Sequence, residues 1–304
     1  MKSIKKTVLS TAEVARLFNV TETTVKRWAD DGTLKCQKTP GGHRKFLMRQ
    51  VAEFATDHNY EPIGALELSG KDRADSRVEA AVLVRDYTTL ADVFVEKALS
   101  PDVTDLTMYF SYLYQHHLRL WEIYDQVLTP GMLEIGERWK RGQIGINHEH
   151  RAAYEVLDAL AKLQAQVRIR DRSGRSVVCA CPDGELHEIG LRCASYVFES
   201  EGWIVHYLGA RTPADALVAA VGELKPTVVS VSITNPPDDD RLRDDLRRVA
   251  GAARAHGAVT VLGGRGVTPA LAESLCCTAV LRTAGDVMEF IRRTAFPSPG
   301  PGHP

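Results

Sequence analysis

The spacing of apolar positions changes twice along these 304 residues, and each change marks a new kind of element. Between residues 10 and 29 apolar side chains recur at helical spacing in two short runs. Ser10-Thr11-Ala12-Glu13 is a capping box that opens the first, with Val14, Ala15, Leu17 and Phe18 on one face. Asn19-Val20 turns the chain, Thr21 is placed to cap, and Val25, Trp28 and Ala29 give a second helix its inner face. Thr23, Thr24, Lys26 and Arg27 are left facing outward. Leu34-Lys35-Cys36 and Lys45-Phe46 then read as short extended segments. Between them Thr39-Pro40-Gly41-Gly42-His43-Arg44 supplies the Pro-Gly-Gly of a hairpin tip.

Apolar periodicity is lost over 61–76, which reads as a linker, and returns as a helical pattern from 77 to 170. Four segments are expected: 87–99, 103–118, 120–139 with Pro130 as a restart at a first-turn position, and 147–167. Short connections between amphipathic segments predict a four-helix bundle. From Arg175 onward short apolar runs alternate with helical patterns. Strands are expected at 177–181, 204–208, 227–234, 259–262 and 279–281, with helices at 190–202, 213–224, 239–255, 269–275 and 285–293. That alternation predicts a parallel, doubly wound, Rossmann-like domain over 171–295, with a disordered tail at 296–304. The fold class is therefore multidomain α and α/β, with a winged helix-turn-helix over 1–60 preceding the bundle.

Composition alters this picture at one point. The overall charge of −1 conceals a basic first fifth: residues 1–50 hold 11 Lys and Arg against 4 Asp and Glu, and the other 254 residues carry a net −8. A helix pair with a polar, basic second helix and a basic hairpin fits a major-groove recognition helix with a wing on the phosphates. The expected DNA contacts are Thr23, Thr24, Lys26, Arg27, Lys38, His43, Arg44 and Lys45. No run of eighteen apolar residues occurs and the start reads as amphipathic, so a cytoplasmic protein with no membrane span and no leader is expected. The six cysteines have neither zinc-ligand nor disulfide-framework spacing, and Cys179, Cys181, Cys276 and Cys277, which lie in apolar sequence, read as buried thiols.

The chemistry concentrates at Glu185-Leu186-His187-Glu188-Ile189-Gly190, directly after the first α/β strand. A neutral imidazole is a metal ligand, a carboxylate two residues away can fix its tautomer, and glycine lets a bulky planar group approach the backbone. With 19 Glu, 10 His and 23 Gly, a shuffled chain would hold about 0.05 matches to this spacing. Ser232-Ile233-Thr234 ends the third α/β strand and Gly263-Gly264 the fourth. Trp139, nine residues and then Glu149-His150 put an indole at one helix end and a carboxylate-imidazole pair at the next helix start, an arrangement expected about 0.008 times by chance.

In their order, Glu185-x-His187-x-x-Gly190, Ser232-x-Thr234 and Gly263-Gly264 resemble the cobalamin-binding domain of corrinoid proteins, with Glu185 in the usual place of Asp and Thr234 in that of Leu. Thr24-Val25-Lys26-Arg27-Trp28 with Thr39-Pro40-Gly41-Gly42-His43-Arg44 resembles the winged helix of MerR-type regulators. The three parts together, with Trp-x9-Glu-His between them, resemble CarH-type photoreceptors over nearly the whole chain.

That resemblance implies that His187 is the lower axial ligand of cobalt and Glu185 its orienter. Ser232, Thr234, Gly263 and Gly264 would receive the displaced nucleotide tail, and Trp139, Glu149 and His150 would cap an upper adenosyl group. The implied cofactor is adenosylcobalamin, with methylcobalamin or hydroxocobalamin as alternatives. The implied partners are operator DNA and further copies of the chain, as a homotetramer, in a non-enzymatic repressor that releases DNA after light breaks the cobalt–carbon bond. One position departs: the residue after the motif tryptophan is histidine in the family and Lys140 here, with His148 and His150 nearby. The readings weighed beside this one are a light-independent cobalamin sensor and a corrinoid methyl-transfer component.

Overall fold

Helices α1 (Thr11–Leu17) and α2 (Glu22–Asp30) form where the caps lie. Ser10 and Glu13 close the capping box in both directions, with Ser10 N–H donating to Glu13 at 2.6 Å and Glu13 N–H to Ser10 Oγ at 3.3 Å. Thr21 accepts from Thr24 N–H at 3.3 Å. The computed structural model of the chain describes residues 8–18, 20–39, 41–47, 50, 51, 54, 58, 76–100, 106–235 and 240–294. Asn19, Pro40, Val103, the expected linker apart from Ser76, and the expected tail lie outside the described residues.

The chain divides into two units, Met1–Glu96 and Lys97–Pro304. In the first, β2 (Gln37–Lys38) and β3 (Arg44–Leu47) make the expected hairpin, and β1 (Val8–Ser10) adds a third antiparallel strand beside β3. The strand expected at Leu34–Cys36 starts instead at Gln37. Leu34 is fully buried and its N–H bonds to Trp28 O at 2.8 Å, so this residue plugs the end of α2. Phe18, Trp28 and Phe54 meet edge-on or tilted, with centroids 4.8–5.9 Å apart, at the centre of that core. Helix α3 (Ser76–Val84) contributes Ala80 to the same cluster.

Helix α4 (Tyr87–Leu99) spans the boundary between the units. In the second unit, α5 (Leu106–Gln115) and α6 both pack on α7 (Ile146–Gln164). Helix α6 runs as Leu120–Glu122, a π-helical segment over Ile123–Leu128, and then Thr129–Lys140. Pro130 has no N–H and would clash with a carbonyl one α-turn back, and the wider π-turn, with Thr129 N–H on Tyr124 O, accommodates it.

The α/β part follows the expected order: β4 (Ser176–Pro182), α8 (Ile189–Ser200), β5 (Ile204–Thr212), α9 (Ala214–Leu224), β6 (Val228–Ser232), α10 (Asp240–Ala255), β7 (Val259–Gly263), α11 (Pro269–Ser274), β8 (Ala279–Leu281) and α12 (Ala284–Thr294). All strands are parallel in the order β5-β4-β6-β7-β8. Of the cysteines expected to be buried, Cys179 and Cys181 are, Cys277 is half-buried, and Cys276 is exposed. It follows α11 at φ +49°, where the helix has ended and its side chain leaves the core.

The π-turn fastens the helical part to the sheet. Asp125 accepts the N–H groups of Ala284 and Gly285, each at 2.8 Å, at the start of α12. These amides have no partner inside their own helix. Burial pushes the Asp125 carboxyl up, and the two amide hydrogen bonds oppose that shift. Asp125→Ala is expected to lower stability by about 1–2 kcal/mol, as loss of a helix cap does. Urea unfolding would register this, and an unchanged midpoint would show that water replaces the carboxylate without cost.

Candidate functional site

Strand order reverses between β4 and β6, and the loops leaving their carboxyl ends open a crevice there. Glu185, three residues past β4, is 5% exposed. Its Oε1 accepts from His187 N–H at 2.9 Å and His187 Nδ1 at 2.6 Å, and its Oε2 accepts from Thr234 N–H at 2.8 Å and Asn235 N–H at 3.1 Å. Burial alone would raise this carboxyl. The bonds from His187, Asn235 and Thr234 outweigh it, and the net shift is downward, so an ionised carboxylate faces His187.

The carboxylate requires a proton on Nδ1 of His187, which leaves the Nε2 lone pair free. The imidazole side chain is 60% exposed, so Nε2 is open to a ligand. Among the described residues, nothing outside its own helical turn and chain neighbours lies within 4 Å of where a Cβ on Gly190 would be, so the space beside the start of α8 is open. Burial, followed by the charges of Glu185 and Glu188, pushes the neighbouring Cys181 thiol up to about 12, which removes it as a competing thiolate.

Ser232 is buried at the end of β6, and Thr234 meets Glu185 through its backbone. Gly264 has a reason of its own to be glycine: at φ +91°, a Cβ there would lie 2.2 Å from Ile233 O. A Cβ on Gly263 would sit 3.1 Å from Leu281 O. On the helical part, Trp139 is 43% exposed near the end of α6, and Glu149 and His150 lie near the start of α7, with 3.7 Å between Glu149 Oε2 and His150 Nε2. Lys140 pairs with Glu137 at 2.9 Å.

In the first unit, Thr23, Lys26 and Arg27 are exposed on α2, and Thr24 is partly covered because its hydroxyl lies 3.1 Å from that of Thr21. His43 is exposed on the hairpin and Lys45 is half-buried. Arg44 is committed within the protein: its Nη2 donates to both oxygens of Asp30, at 2.6 and 2.8 Å, and its side chain is only 19% exposed. Lys38 lies 3.9 Å from the same carboxylate. The hairpin is thus tied to the end of α2 through Arg44, a residue expected from the sequence to contact phosphate.

Three residues escaped the sequence reading. Tyr207 on β5 donates to Glu188 Oε2 at 2.7 Å, and the Arg192 guanidinium lies 3.5 Å from the Tyr207 ring centroid. Asn235 reaches the site only through its backbone, a role that no side-chain motif encodes. Among the described residues no three or more His, Cys, Asp or Glu side chains gather as ligands for an ion. One open imidazole on one carboxylate suits a metal carried in its own macrocycle, which needs a single protein ligand.

The depressed Glu185 carboxyl makes a signed prediction. Its stabilisation is present above the ordinary value of 4.5 and lost as pH falls through the lower folded value. Glu185→Gln is expected to cost about 1–3 kcal/mol at neutral pH, with the gap to wild type narrowing below about pH 4.5 in urea unfolding. A gap independent of pH would show that the charge on Glu185 contributes nothing.

Comparison with known proteins agrees with these parts. A helix-turn-helix domain model matches residues 8–59, one B12 binding domain model matches 90–164 and another 175–291. The HTH-type transcriptional repressor CarH of Myxococcus xanthus is 27% identical over 277 residues, covering 81% of this chain and 89% of that protein. The repressor CarA of the same organism is 34% identical over 137 residues, 41% of this chain and 43% of its own length. The monomethylamine corrinoid protein of Methanosarcina barkeri superposes with a TM-score of 0.57 at 13% identity, over 68% of this chain and 99% of that one, which shows a shared fold. Taken together, the helix-turn-helix match, the two B12 binding domain matches and the likeness to CarH support a CarH-type cobalamin-binding transcriptional regulator.

Proposed function

We propose that the chain is a light-responsive transcriptional repressor loaded with adenosylcobalamin, which holds operator DNA as a homotetramer in darkness and lets it go in light. The observation that carries the cofactor end of this reading is the 2.6 Å contact between Glu185 and His187 Nδ1, which leaves Nε2 open beside Gly190. When bound, the group supplies a cobalt–carbon bond that visible light breaks. His187 would hold cobalt from below and Glu185 would hold the proton that keeps Nε2 basic. Trp139 would offer a flat apolar surface to the upper ligand, with Glu149 and His150 placed for hydroxyl groups. Ser232, Thr234, Gly263 and Gly264 would receive the nucleotide tail.

At the other end, Thr23, Lys26, Arg27 and His43 would face DNA most directly, whereas Lys38 and Arg44 would reach phosphate only by leaving Asp30. No helix among the described residues is long and apolar enough to cross a membrane, and we assign the protein to the cytoplasm. The 2.9 Å pair between Lys140 and Glu137 favours a second reading, a cobalamin sensor without a light step. A protonated lysine held by a carboxylate has no lone pair for cobalt. With that reading, methylcobalamin or hydroxocobalamin would serve as well. A methyl-transfer component is the third reading, and the helix-turn-helix domain counts against it.

Size-exclusion of adenosylcobalamin-loaded protein in darkness and after green light separates these readings. A large dark species that shrinks as the cobalt spectrum changes is expected, and tight binding with a constant size would favour the sensor. His187→Ala is expected to weaken cobalamin retention at least tenfold, as loss of a metal ligand does. Retention equal to wild type in equilibrium dialysis would remove the axial assignment. Arg27→Ala is expected to cost about 1–3 kcal/mol in operator affinity if it reads a base, with cofactor uptake unchanged. Unaltered affinity in a gel-shift titration would move the recognition surface elsewhere.

A further inference from the structure

The residue that follows His187, Glu188, is also anchored, and from a different strand. Strand β5 pairs with β4 in register up to Cys179 and Tyr207, after which Ala180 lies level with Gly209 and Leu208 is extra. Such an insertion turns the chain and re-aims nearby side chains. Gly209 makes the turn at φ +83°, and a Cβ there would stand 3.2 Å from the Tyr207 ring and 3.5 Å from Glu188 Oε2. The phenol of Tyr207 therefore reaches across to Glu188 at 2.7 Å.

Arg192, one turn into α8, closes the group. Its guanidinium lies over the Tyr207 ring at 3.5 Å and 3.8 Å from Glu188 Oε2, and its backbone N–H bonds to Glu188 O at 2.8 Å. Glu188 is the N-cap residue of α8 and carries no capping bond from its side chain, so that side chain is committed to the brace. His187 thus sits between two anchored carboxylates. Glu185 ties the loop to the turn after β6, and Glu188 ties it to β5 and α8. An exposed imidazole on a loop wanders unless the backbone on both sides is fixed, and a wandering ligand binds metal less well.

We infer that Tyr207 and Arg192 are positioning residues for His187: acting through Glu188, they fix the loop so that Nε2 is presented in one direction. This rests on the reading that His187 ligates cobalt. Neither residue needs to touch the cofactor. A residue that only stabilised the sheet would change unfolding and leave the ligand's own properties as they were, whereas a positioning residue changes how well imidazole competes with a proton for the metal.

The test uses the full chain with hydroxocobalamin as the probe, in wild type, Tyr207→Phe, Arg192→Leu, Glu188→Gln and His187→Ala. Absorbance reports whether imidazole is coordinated, and a pH titration gives the midpoint at which it is released. Tyr207→Phe and Arg192→Leu are each expected to weaken hydroxocobalamin binding about tenfold and to raise the release midpoint by about one pH unit, because weaker coordination yields to protonation sooner. Glu188→Gln keeps an oxygen for the phenol but gives up the charge that faces Arg192, and is expected to fall between wild type and Tyr207→Phe. If wild type coordinates through imidazole and both Tyr207→Phe and Arg192→Leu release it at the wild-type pH, the inference is overturned. If His187→Ala matches wild type in spectrum and affinity, the axial assignment itself fails, and the positioning role with it.

Discussion

A carboxylate taken almost out of water has to be met by donors, and Glu185 is met by four, drawn from its own loop and from the turn after β6. Burying an unpaired charge costs several kcal/mol, so these bonds are conditions for the loop to adopt this shape at all. Two of them come from backbone amides at Thr234 and Asn235, which is possible because β4 and β6 are adjacent and parallel and end at the same level. The site thus depends on strand order: without the crossover that sets β6 beside β4, the carboxylate would have half its donors and His187 would lose its orientation.

The same loop is the entrance to α8, and α8 is shared. One end begins at Ile189, two residues past His187, and the helix packs against α12 and α7 along its length. Gln164 at the end of α7 donates to Glu199 near the end of α8 at 2.7 Å, and Asp125 of the π-turn caps α12. Polar bonds therefore reinforce both places where helices of the bundle meet the α/β layer. A close-packed contact of this kind tolerates small displacements poorly, so a change in the angle of α8 would be felt by α7 and α12.

The parts of this arrangement that were legible in sequence are those written in side-chain pattern. Strands β4, β6 and β7 are buried on both faces and read as continuous apolar runs, which is why their ends fell within about two residues of the expected places. The capping box at Ser10 and Glu13 and the restart at Pro130 are local chemistry and were read locally. What escaped depends on the partner. Strand β1 is three residues long and exists through its ladder with β3. Leu34 has the composition of a strand residue, but the end of α2 takes it into the core. Arg44 is basic on a basic hairpin, and only the fold brings Asp30 against it. Tyr207 sits in an ordinary strand pattern whose single irregularity is Gly209, and a glycine alone does not say which ring it makes room for.

Tautomers divide the histidines of the two motifs. At His187 the neighbour is an acceptor, the carboxylate of Glu185, so the proton lies on Nδ1 and Nε2 keeps its lone pair. At His148 the neighbour is a donor: Gly145 N–H bonds to Nδ1 at 3.3 Å, so in the neutral ring the proton lies on Nε2. His148 would have to break that bond or move its proton before it could bind a metal. Lys140 is held by Glu137. Between His148 and His150, it is His150, with its side chain 74% exposed and Nε2 3.7 Å from Glu149, whose ring nitrogens make no backbone bond. An imidazole ligand drawn from this end of the helical part would therefore be asked of His150 before His148.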